Sequence, residues 1–421
     1  MRTIHTLDNG LRVVVTPMAH ASSVSVSVYV GAGSRYEDAP EARLSHFVEH
    51  LAFKGTAQRP RPQDISIEID SIGGTMNAAT DREYTVYYTK VTREFAERAV
   101  VIIADMLRNS LFVGGEIERE RGVILEELAA VEDSPDEQAG LLLDALLWPG
   151  QALGRDIAGT PESVGAISHE RLIAYYRRQY VPNACVISIA GAIEEDLGLD
   201  LVRASFGSWE PGRPLDWQRA AEDPHGARSG TIAKPTEQAH LSLGVRALSL
   251  AHPDRYASDV LSVILGEGMS SRLFMRLREE LGLCYDIHSF ASHLRDTGLF
   301  GVYAGVDPPR AAEAVREIAG ELARVREPVT AEELERAKAL VRSRVLLRME
   351  DSRAVSGWYG SQVILDQPRQ TPAEAIALTD AVTAEDVQRV ATSLLTDNAL
   401  QLAVVGPFEG VDLFDGISVG A

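Results

Sequence analysis

The chain of 421 residues repeats its own pattern once, and this repeat constrains the fold more than any other feature. A predicted helix that opens at Ser168 leads into the apolar stretch 183–191, and a predicted helix that opens at Thr383 leads into a similar stretch at 398–406. Both features recur after 215 positions (168 to 383 and 183 to 398). One offset shared by separate features indicates two copies of one structural unit.

The two copies are predicted to be α+β units. Residues 23–30 alternate between apolar and polar, which predicts a half-buried strand, and the same shift leads to a second apolar strand at 239–245. A chain of this length also exceeds the size of one ordinary hydrophobic core. We therefore expect two homologous domains, at 1–210 and 231–421, joined by a Pro- and Gly-rich linker at 211–230.

Composition excludes several classes of partner. Apolar residues make up 45% of the chain and charged residues 24%, as in globular proteins, and no stretch is apolar enough for a membrane helix. The net charge of -20 argues against nucleic acid and anionic membranes as partners. Two distant cysteines, Cys185 and Cys284, predict free thiols in a reducing compartment. Because the first residues also lack the pattern of a signal or transit peptide, we expect a cytoplasmic protein.

Two histidines and a glutamate, His46, Glu49 and His50, converge on one side of a predicted helix. Residues three and four apart in a helix lie about one turn from each other. Neutral imidazoles bind zinc, and a catalytic zinc site needs a third protein ligand and an open position for water. The order of the three residues is the inverse of the common His-Glu-x-x-His motif. The spacing therefore predicts zinc ligands at His46 and His50 and a general base at Glu49.

The simplest alternative is a solvated polar face of a helix. The flanking residues argue against it, since Leu44, Phe47, Val48 and Leu51 make the helix otherwise apolar. The second copy argues against it as well. There the shift of 215 replaces the three polar residues by apolar ones, namely Leu261, Ile264 and Leu265. The polar set thus occupies positions that the same unit elsewhere fills with core residues, so it needs a partner or an ion.

A strongly acidic predicted helix at 115–131 is the expected source of the third zinc ligand. Glu120 and Glu127 are two turns apart and share a face, whereas Glu126 points about 100° away. Any of these glutamates could instead be an exposed surface charge. The spacing alone leaves the choice between the neighbouring Glu126 and Glu127 open.

Together these segments resemble the pitrilysin/insulinase family of inverted zinc peptidases, in particular its processing-peptidase branch. The resemblance rests on the stretches 46–56, 77–80, 118–127 and 271–285 and extends over essentially the whole chain. It implies that each domain is a mainly antiparallel sheet covered by helices. It also implies that the first domain is catalytic with one zinc ion per chain, and that the second is an inactive repeat.

The resemblance assigns roles residue by residue. It implies that His46, His50 and Glu127 are the zinc ligands and that Glu49 activates water. Glu120 matches a second acidic position of the family, whose expected role is to support a ligating histidine.

The resemblance also implies residues that bind the substrate. Phe53, Asn77 and Ala78 match positions that contact an extended peptide laid against an edge strand. Arg278 and Tyr285 match a pair that binds substrate and polarises the scissile carbonyl. Without the resemblance, the pattern would predict only an amphipathic helix for Arg278 and a core position for Tyr285.

In this family the zinc domain and the Arg/Tyr domain that complete one site belong to opposite halves of a chamber. A chain of this length corresponds to one half. We therefore expect a homodimer with sites shared between chains, acting as a zinc-dependent endopeptidase on peptides or unfolded segments. Two alternatives stay open, a non-catalytic scaffold or partner subunit of the same fold and a different zinc hydrolase on the same helix motif.

Overall fold

A computed structural model describes residues 3–38, 42–221 and 227–420 of the chain. The chain divides into two compact units, each assembled from three stretches of sequence. The first unit comprises Met1–Leu128, Asp156–Gln218 and Leu346–Gln370. The second unit comprises Ala129–Arg155, Arg219–Val345 and Thr371–Ala421.

A six-stranded sheet forms the basis of the first unit. Its strands are β1 (His5–Thr6), β2 (Arg12–Pro17), β3 (Ser23–Val30), β4 (Thr75–Thr80), β5 (Thr85–Thr92) and β6 (Cys185–Gly191). They lie in the order β1-β2-β6-β3-β5-β4, so β4 is an edge strand. Only β2 and β6 run parallel, and the other neighbours are antiparallel.

The second unit contains a five-stranded sheet of the same design. Its strands are β7 (Ser229–Ala233), β8 (Ala239–Ala247), β9 (Cys284–His293), β10 (Gly298–Val306) and β11 (Gln401–Gly406). They lie in the order β7-β11-β8-β10-β9, with one parallel pair between β7 and β11. The two sheets confirm the predicted fold class, an α+β protein with two mainly antiparallel sheets.

Helices cover these sheets. In chain order they are α1 (Leu44–Leu51), α2 (Pro62–Ser71), α3 (Ala96–Asn109), α4 (Gly114–Glu132), α5 (Pro135–Leu147), α6 (Pro161–Gly165), α7 (His169–Gln179), α8 (Glu195–Phe206), α9 (Arg255–Gly266), α10 (Ala311–Arg324), α11 (Ala331–Arg348), α12 (Ser352–Ile364), α13 (Pro372–Asp380) and α14 (Ala384–Leu394). The shift of 215 maps both ends of α3 onto both ends of α10, which confirms the repeat. Among the described residues, none of the helices combines the length and apolarity needed to cross a membrane.

Each sheet buries one face in a hydrophobic core. In the first unit the inward residues Val24, Val26 and Val28 of β3 are fully buried with side chains of α1 and α3. In the second unit Leu241 and Leu243 of β8 are likewise buried beside side chains of α9 and α10. Strand alternation thus sends apolar side chains to one face. The shared layout explains why both copies keep the same apolar positions.

The opposite face of each sheet is covered by a helix from the other half of the sequence. Helix α12 packs against β3 and β6, where the Ser352 hydroxyl lies 2.8 Å from that of Ser25. Helix α5 packs against β8 and β11. The two helices follow α4 and α11, so they are equivalent elements of the repeat. Helix α5 belongs to the second unit although it lies in the first half of the sequence, and α12 belongs to the first unit although it lies in the second half.

This exchange makes the compact units differ from the two continuous domains predicted at 1–210 and 231–421. The stretch Ala129–Arg155 belongs to the second unit, and Leu346–Gln370 belongs to the first. The predicted linker at 211–230 is divided between the units after Gln218. Its residues 222–226 lie outside the described residues.

Candidate metal centre

Helix α1 carries the histidine motif and is fixed at its N-terminus. Its apolar residues Phe47 and Val48 are buried in the first core. The fully buried carboxylate of Glu37 accepts hydrogen bonds from the backbone N–H groups of Arg43 and Ser45, at 2.5 and 2.6 Å. A carboxylate at a helix N-terminus satisfies free N–H groups and interacts favourably with the helix dipole. The helix therefore holds its polar face in a defined orientation.

Three potential metal-ligand atoms, two on the polar face of α1 and one on α4, form a compact triangle. The two Nε2 atoms of His46 and His50 lie 3.2 Å apart. Oε2 of Glu127 lies 3.7 Å from Nε2 of His46 and 3.5 Å from Nε2 of His50. Across the described residues, this is the one group of three or more His, Cys, Asp or Glu side chains close enough to hold a metal ion. The neighbouring Glu126 is not part of it.

The triangle fits zinc. With ligand distances of about 2.0–2.1 Å and tetrahedral angles, the ligand atoms of a zinc ion lie about 3.3 Å apart. The three observed separations, from 3.2 to 3.7 Å, are close to that value. Two imidazoles and one carboxylate also make the three-ligand set that leaves a fourth position open, as catalytic zinc sites require.

Protonation of the histidines also suits a metal site. Burial, and then the neighbouring His50, lowers the pKa of His46 to about 4, so its imidazole is neutral at physiological pH. Nδ1 of His50 lies 3.2 Å from Oε2 of Glu120, a distance at which Nδ1 carries the proton and Nε2 keeps its lone pair. With the His46 proton on Nε2 the two rings share a hydrogen bond of 3.2 Å, and with it on Nδ1 both Nε2 lone pairs are available to a cation.

Glu120 connects His50 to a lysine. Its side chain is 6% exposed, and its second oxygen, Oε1, lies 2.7 Å from Nζ of Lys54. The lysine balances the charge of the buried carboxylate, and the carboxylate orients the imidazole of His50. Such contacts behind a ligating histidine fix its tautomer and ring orientation.

Glu49 lies next to the triangle and is held by a threonine. The hydroxyl of Thr80, at the end of β4, donates a hydrogen bond of 2.7 Å to Oε2 of Glu49. Burial raises the pKa of Glu49, and the nearby Glu127 raises it further, while the bond from Thr80 opposes this rise. A carboxylate with a raised pKa is a better proton acceptor than an ordinary surface glutamate.

The three predicted substrate-binding residues of the first unit lie on or near β4. Asn77 is exposed on this edge strand, and its side-chain oxygen accepts a hydrogen bond of 2.8 Å from the N–H of Ala78. Ala78 points inward and packs against the first core. Phe53 is half-buried, with its ring centre 6.2 Å from that of Tyr87. Their contact with substrate stays a prediction.

Comparison with models of known protein families shows to which family the chain belongs. Residues 12–161 match the family model described as "Insulinase (Peptidase family M16)", and residues 166–341 match the model "Peptidase M16 inactive domain". The chain belongs to peptidase family M16. An uncharacterized zinc protease of Bacillus subtilis is 35% identical over 405 residues, covering 96% of this chain and 98% of that protein. An uncharacterized zinc protease of Streptomyces coelicolor is 35% identical over 413 residues, covering 96% and 89%.

Solved structures share the M16 fold. A protease from Helicobacter pylori is similar with a TM-score of 0.89 at 23% identity, covering 97% of this chain and 99% of that one. A chain of complex III2 from Candida albicans is similar with a TM-score of 0.85 at 21% identity, covering both chains completely. The predicted resemblance to the pitrilysin/insulinase family is therefore confirmed.

The pair Arg278 and Tyr285 lies in the second unit of this M16 chain. Arg278 belongs to a π-helix, Phe274–Glu280, and its guanidinium lies 4.8 Å from the ring centre of Phe274 and 4.5 Å from that of Tyr285. Its Nη1 also donates to the carbonyl oxygen of Tyr285 at 2.9 Å. The structure thus brings the predicted pair together. Tyr285 is 76% exposed, so the core position that its pattern alone predicts is wrong.

Two residues of the candidate site had no predicted role, Lys54 and Thr80. Lys54 follows His50 by four residues, so helical spacing could have placed it on the same side. Thr80 gave no comparable signal. Its approach to Glu49 depends on how β4 pairs with β5 and how α1 crosses the strand.

Proposed function

We propose that this M16 chain is a zinc-dependent endopeptidase that cleaves peptides or unfolded protein segments. The observation that carries the proposal is the triangle of donor atoms on His46, His50 and Glu127, with the carboxylate of Glu49 beside it. The relatives are named zinc proteases, and these names are the only indication that the relatives bind zinc. The geometry supports one zinc ion per chain, because a single triangle exists among the described residues.

Each residue has a proposed task. A zinc ion in such a site is a Lewis acid that polarises a carbonyl and makes water more acidic. Glu49 takes the proton of the attacking water and returns it to the leaving amine, a task for which its raised pKa is suited. Glu120 and Lys54 keep the Nε2 lone pair of His50 directed at the site.

We propose that the substrate binds as an added strand on β4. This strand has a sheet neighbour on one side only, so its other edge can pair with an extended peptide. Asn77 and Ala78 lie in its middle, and Thr80 at its end holds Glu49. A bound peptide would therefore lie in register with the catalytic carboxylate. Folded proteins cannot supply such a strand without opening, which favours peptides and unfolded segments.

We further propose that two copies of the chain form one chamber with two shared sites. Arg278 and Tyr285 of the partner subunit would complete the site built on His46, His50 and Glu127. The guanidinium of Arg278 supports this role, because its position between two rings leaves a preset donor for a developing negative charge. A cytoplasmic location also belongs to the proposal and is supported by two free thiols, Cys185 and Cys284.

The deciding experiment compares wild type with Glu49→Gln, measuring zinc content and cleavage of an unfolded peptide. We expect about one zinc per chain in both proteins and cleavage by wild type alone. Glu127→Gln should lose zinc, whereas the matched control Glu126→Gln should keep both zinc and activity. Wild type without zinc would favour the scaffold alternative. Activity on small esters or amides but on no peptide would favour a different hydrolase.

Mixing two inactive variants tests the shared sites. Chains carrying Glu49→Gln and chains carrying Arg278→Ala should each be inactive, but a mixed dimer would contain one intact site. Random reassortment should restore about a quarter of wild-type activity if the dimer is symmetric. No recovery in mixtures that native mass spectrometry shows to contain mixed dimers would refute shared sites. A monomeric, active wild type would refute the dimer itself.

A further inference from the structure

The end of strand β4 contacts the carboxylate of Glu49 through Thr80, whose hydroxyl and backbone N–H both interact with it. Side chains of β4 alternate in direction, and Met76, Ala78 and Thr80 point to the less exposed side, which faces α1. The Thr80 hydroxyl donates its 2.7 Å hydrogen bond to Oε2 of Glu49.

Thr80 is itself fixed from two directions. The fully buried hydroxyl of Thr85 lies 3.2 Å from that of Thr80 and donates to the carbonyl oxygen of Ala32 at 3.1 Å. The turn that joins β4 to β5 is closed by the bond from Asp81 N to Tyr84 O, at 2.9 Å. These contacts fix the threonine rotamer before any substrate binds.

We propose that Thr80 is a positioning residue that aligns the base with the substrate strand. The inference rests on the proposed peptidase function. Since Asn77 and Ala78 lie three and two residues earlier in the same strand, one rigid segment presents the substrate edge and orients Glu49. A peptide that pairs with β4 thereby acquires a fixed register relative to the carboxylate of Glu49. Thr80 acts through Glu49 and contacts no reacting atom.

The test replaces the hydroxyl while keeping the shape of the side chain. Thr80→Val should lower kcat about 10- to 100-fold and change KM less than about threefold, since a displaced base slows the chemical step more than it weakens binding. Thr80→Ser, which keeps the hydroxyl, should restore kcat to within about threefold of wild type. If Thr80→Val fails to fold, as judged by circular dichroism, Thr80→Ala makes the same test.

A matched control removes a similar bond elsewhere. Thr92, at the end of β5, donates to Oε1 of Glu94 at 3.3 Å on the surface of the same unit. Thr92→Val should leave kcat and KM unchanged. Zinc content of Thr80→Val should equal that of wild type, because Thr80 contacts none of the three proposed ligands. Loss of zinc in this variant would overturn the proposal, since the defect would then be structural.

A binding measurement separates positioning from substrate contact. In the inactive Glu49→Gln background, adding Thr80→Val should leave the Kd of a fluorescent peptide unchanged within about twofold. Binding weakened tenfold would overturn the proposal, because Thr80 would then hold the substrate. Full activity of Thr80→Val beside an active wild type would overturn it too, while the peptidase function would stand. An inactive wild type with zinc bound would refute the function itself.

Discussion

Helices α1 and α9 occupy equivalent places in the two units but bury different side chains. In α1 the positions of His46, Glu49 and His50 are polar, and in α9 the same positions hold Leu261, Ile264 and Leu265. All three residues of α9 are at most 5% exposed. The fold therefore accepts apolar residues at every one of these positions. Since burying polar groups costs free energy, the set in α1 is explained by binding a ligand rather than by stability.

The acidic helices differ in the same way. Glu120 of α4 is buried between His50 and Lys54, whereas Glu335, its equivalent in α11, has a side chain 71% exposed. At the position equivalent to Glu127, α11 carries Arg342, which pairs with Asp380 at 2.5 Å. The acidic residues of α4 thus lie at the candidate metal centre, whereas the equivalent residues of α11 form ion pairs at the surface. Four substitutions at equivalent positions probe this contrast.

Replacing a polar residue of α1 by the apolar residue at the equivalent position of α9 should have the largest effect on function. His50→Leu removes a proposed ligand and introduces the residue that α9 carries at the equivalent position. We expect zinc binding and peptide cleavage to fall to background, because two remaining ligands hold zinc weakly. The metal-free protein should keep its Tm within about 4 °C, since leucine suits this position in the fold. A large drop in Tm would show that His50 also has a structural role.

The reverse change should damage the second unit. Leu265 is fully buried, so Leu265→His loses apolar burial and places an imidazole without a partner in the core. We expect a loss of about 3 kcal/mol in the free energy of unfolding. Differential scanning calorimetry would record it as a lower Tm, with zinc content unchanged. A stable variant would mean that α9 tolerates polar residues, and the contrast between the helices would lose its energetic basis.

A matched pair of glutamates tests the contrast between α4 and α11. Glu120→Gln keeps the size of the side chain but removes the charge that orients His50, and we expect zinc affinity to fall about 10- to 100-fold. Glu335→Gln makes the same change at the equivalent exposed position and should leave affinity unchanged. Competition with a fluorescent chelator measures both. Equal effects would show that overall charge, rather than the contact with His50, controls affinity.

The sequence predicted the parts of this molecule that depend on local spacing. The helical interval from His46 to His50 places both imidazoles on one face, and the structure finds their Nε2 atoms 3.2 Å apart. The offset of 215 predicted two equivalent units, which both sheets confirm. The choice of Glu127 over Glu126 came from the family resemblance; the structure places Glu127, and not Glu126, beside the two histidines, and its role as a ligand stays a prediction.

Features that depend on tertiary placement could not be predicted. The repeat shows that α5 and α12 are equivalent, but an amphipathic pattern does not reveal which sheet a helix covers. In α12 the contact with the first sheet runs through small residues such as Ser352 and Ser356, which carry little hydrophobic signal. The bond from Thr80 to Glu49 joins a strand to a helix whose relative placement no local pattern encodes.

The smallest expected effect concerns the protonation of buried histidines. The two units shift the pKa of such a histidine in opposite directions. In the first unit the pKa of His46 is lowered to about 4. In the second unit burial alone would lower the pKa of His293, but the carboxylate of Asp259, 3.1 Å away, and the carbonyl oxygen of Leu248 raise it above 6.5. His293 therefore keeps its proton to a higher pH than an ordinary histidine, as an ion-pair partner of Asp259.

A raised pKa in the folded state fixes the sign of the pH dependence. The stability from the His293 pair is fully present below the unfolded pKa near 6.5 and is lost as pH rises through the folded pKa. His293→Gln should therefore lower the free energy of unfolding more at pH 5.5 than at pH 8.5, by a difference of about 1 kcal/mol or less, which thermal unfolding at the two pH values would record. The control His5→Gln removes a more exposed histidine that lies 2.9 Å from Glu195 and tests whether the loss depends on where the histidine sits. A larger loss at pH 8.5 would mean that His293 stabilises the second unit as a neutral imidazole, and the contrast with His46 would disappear.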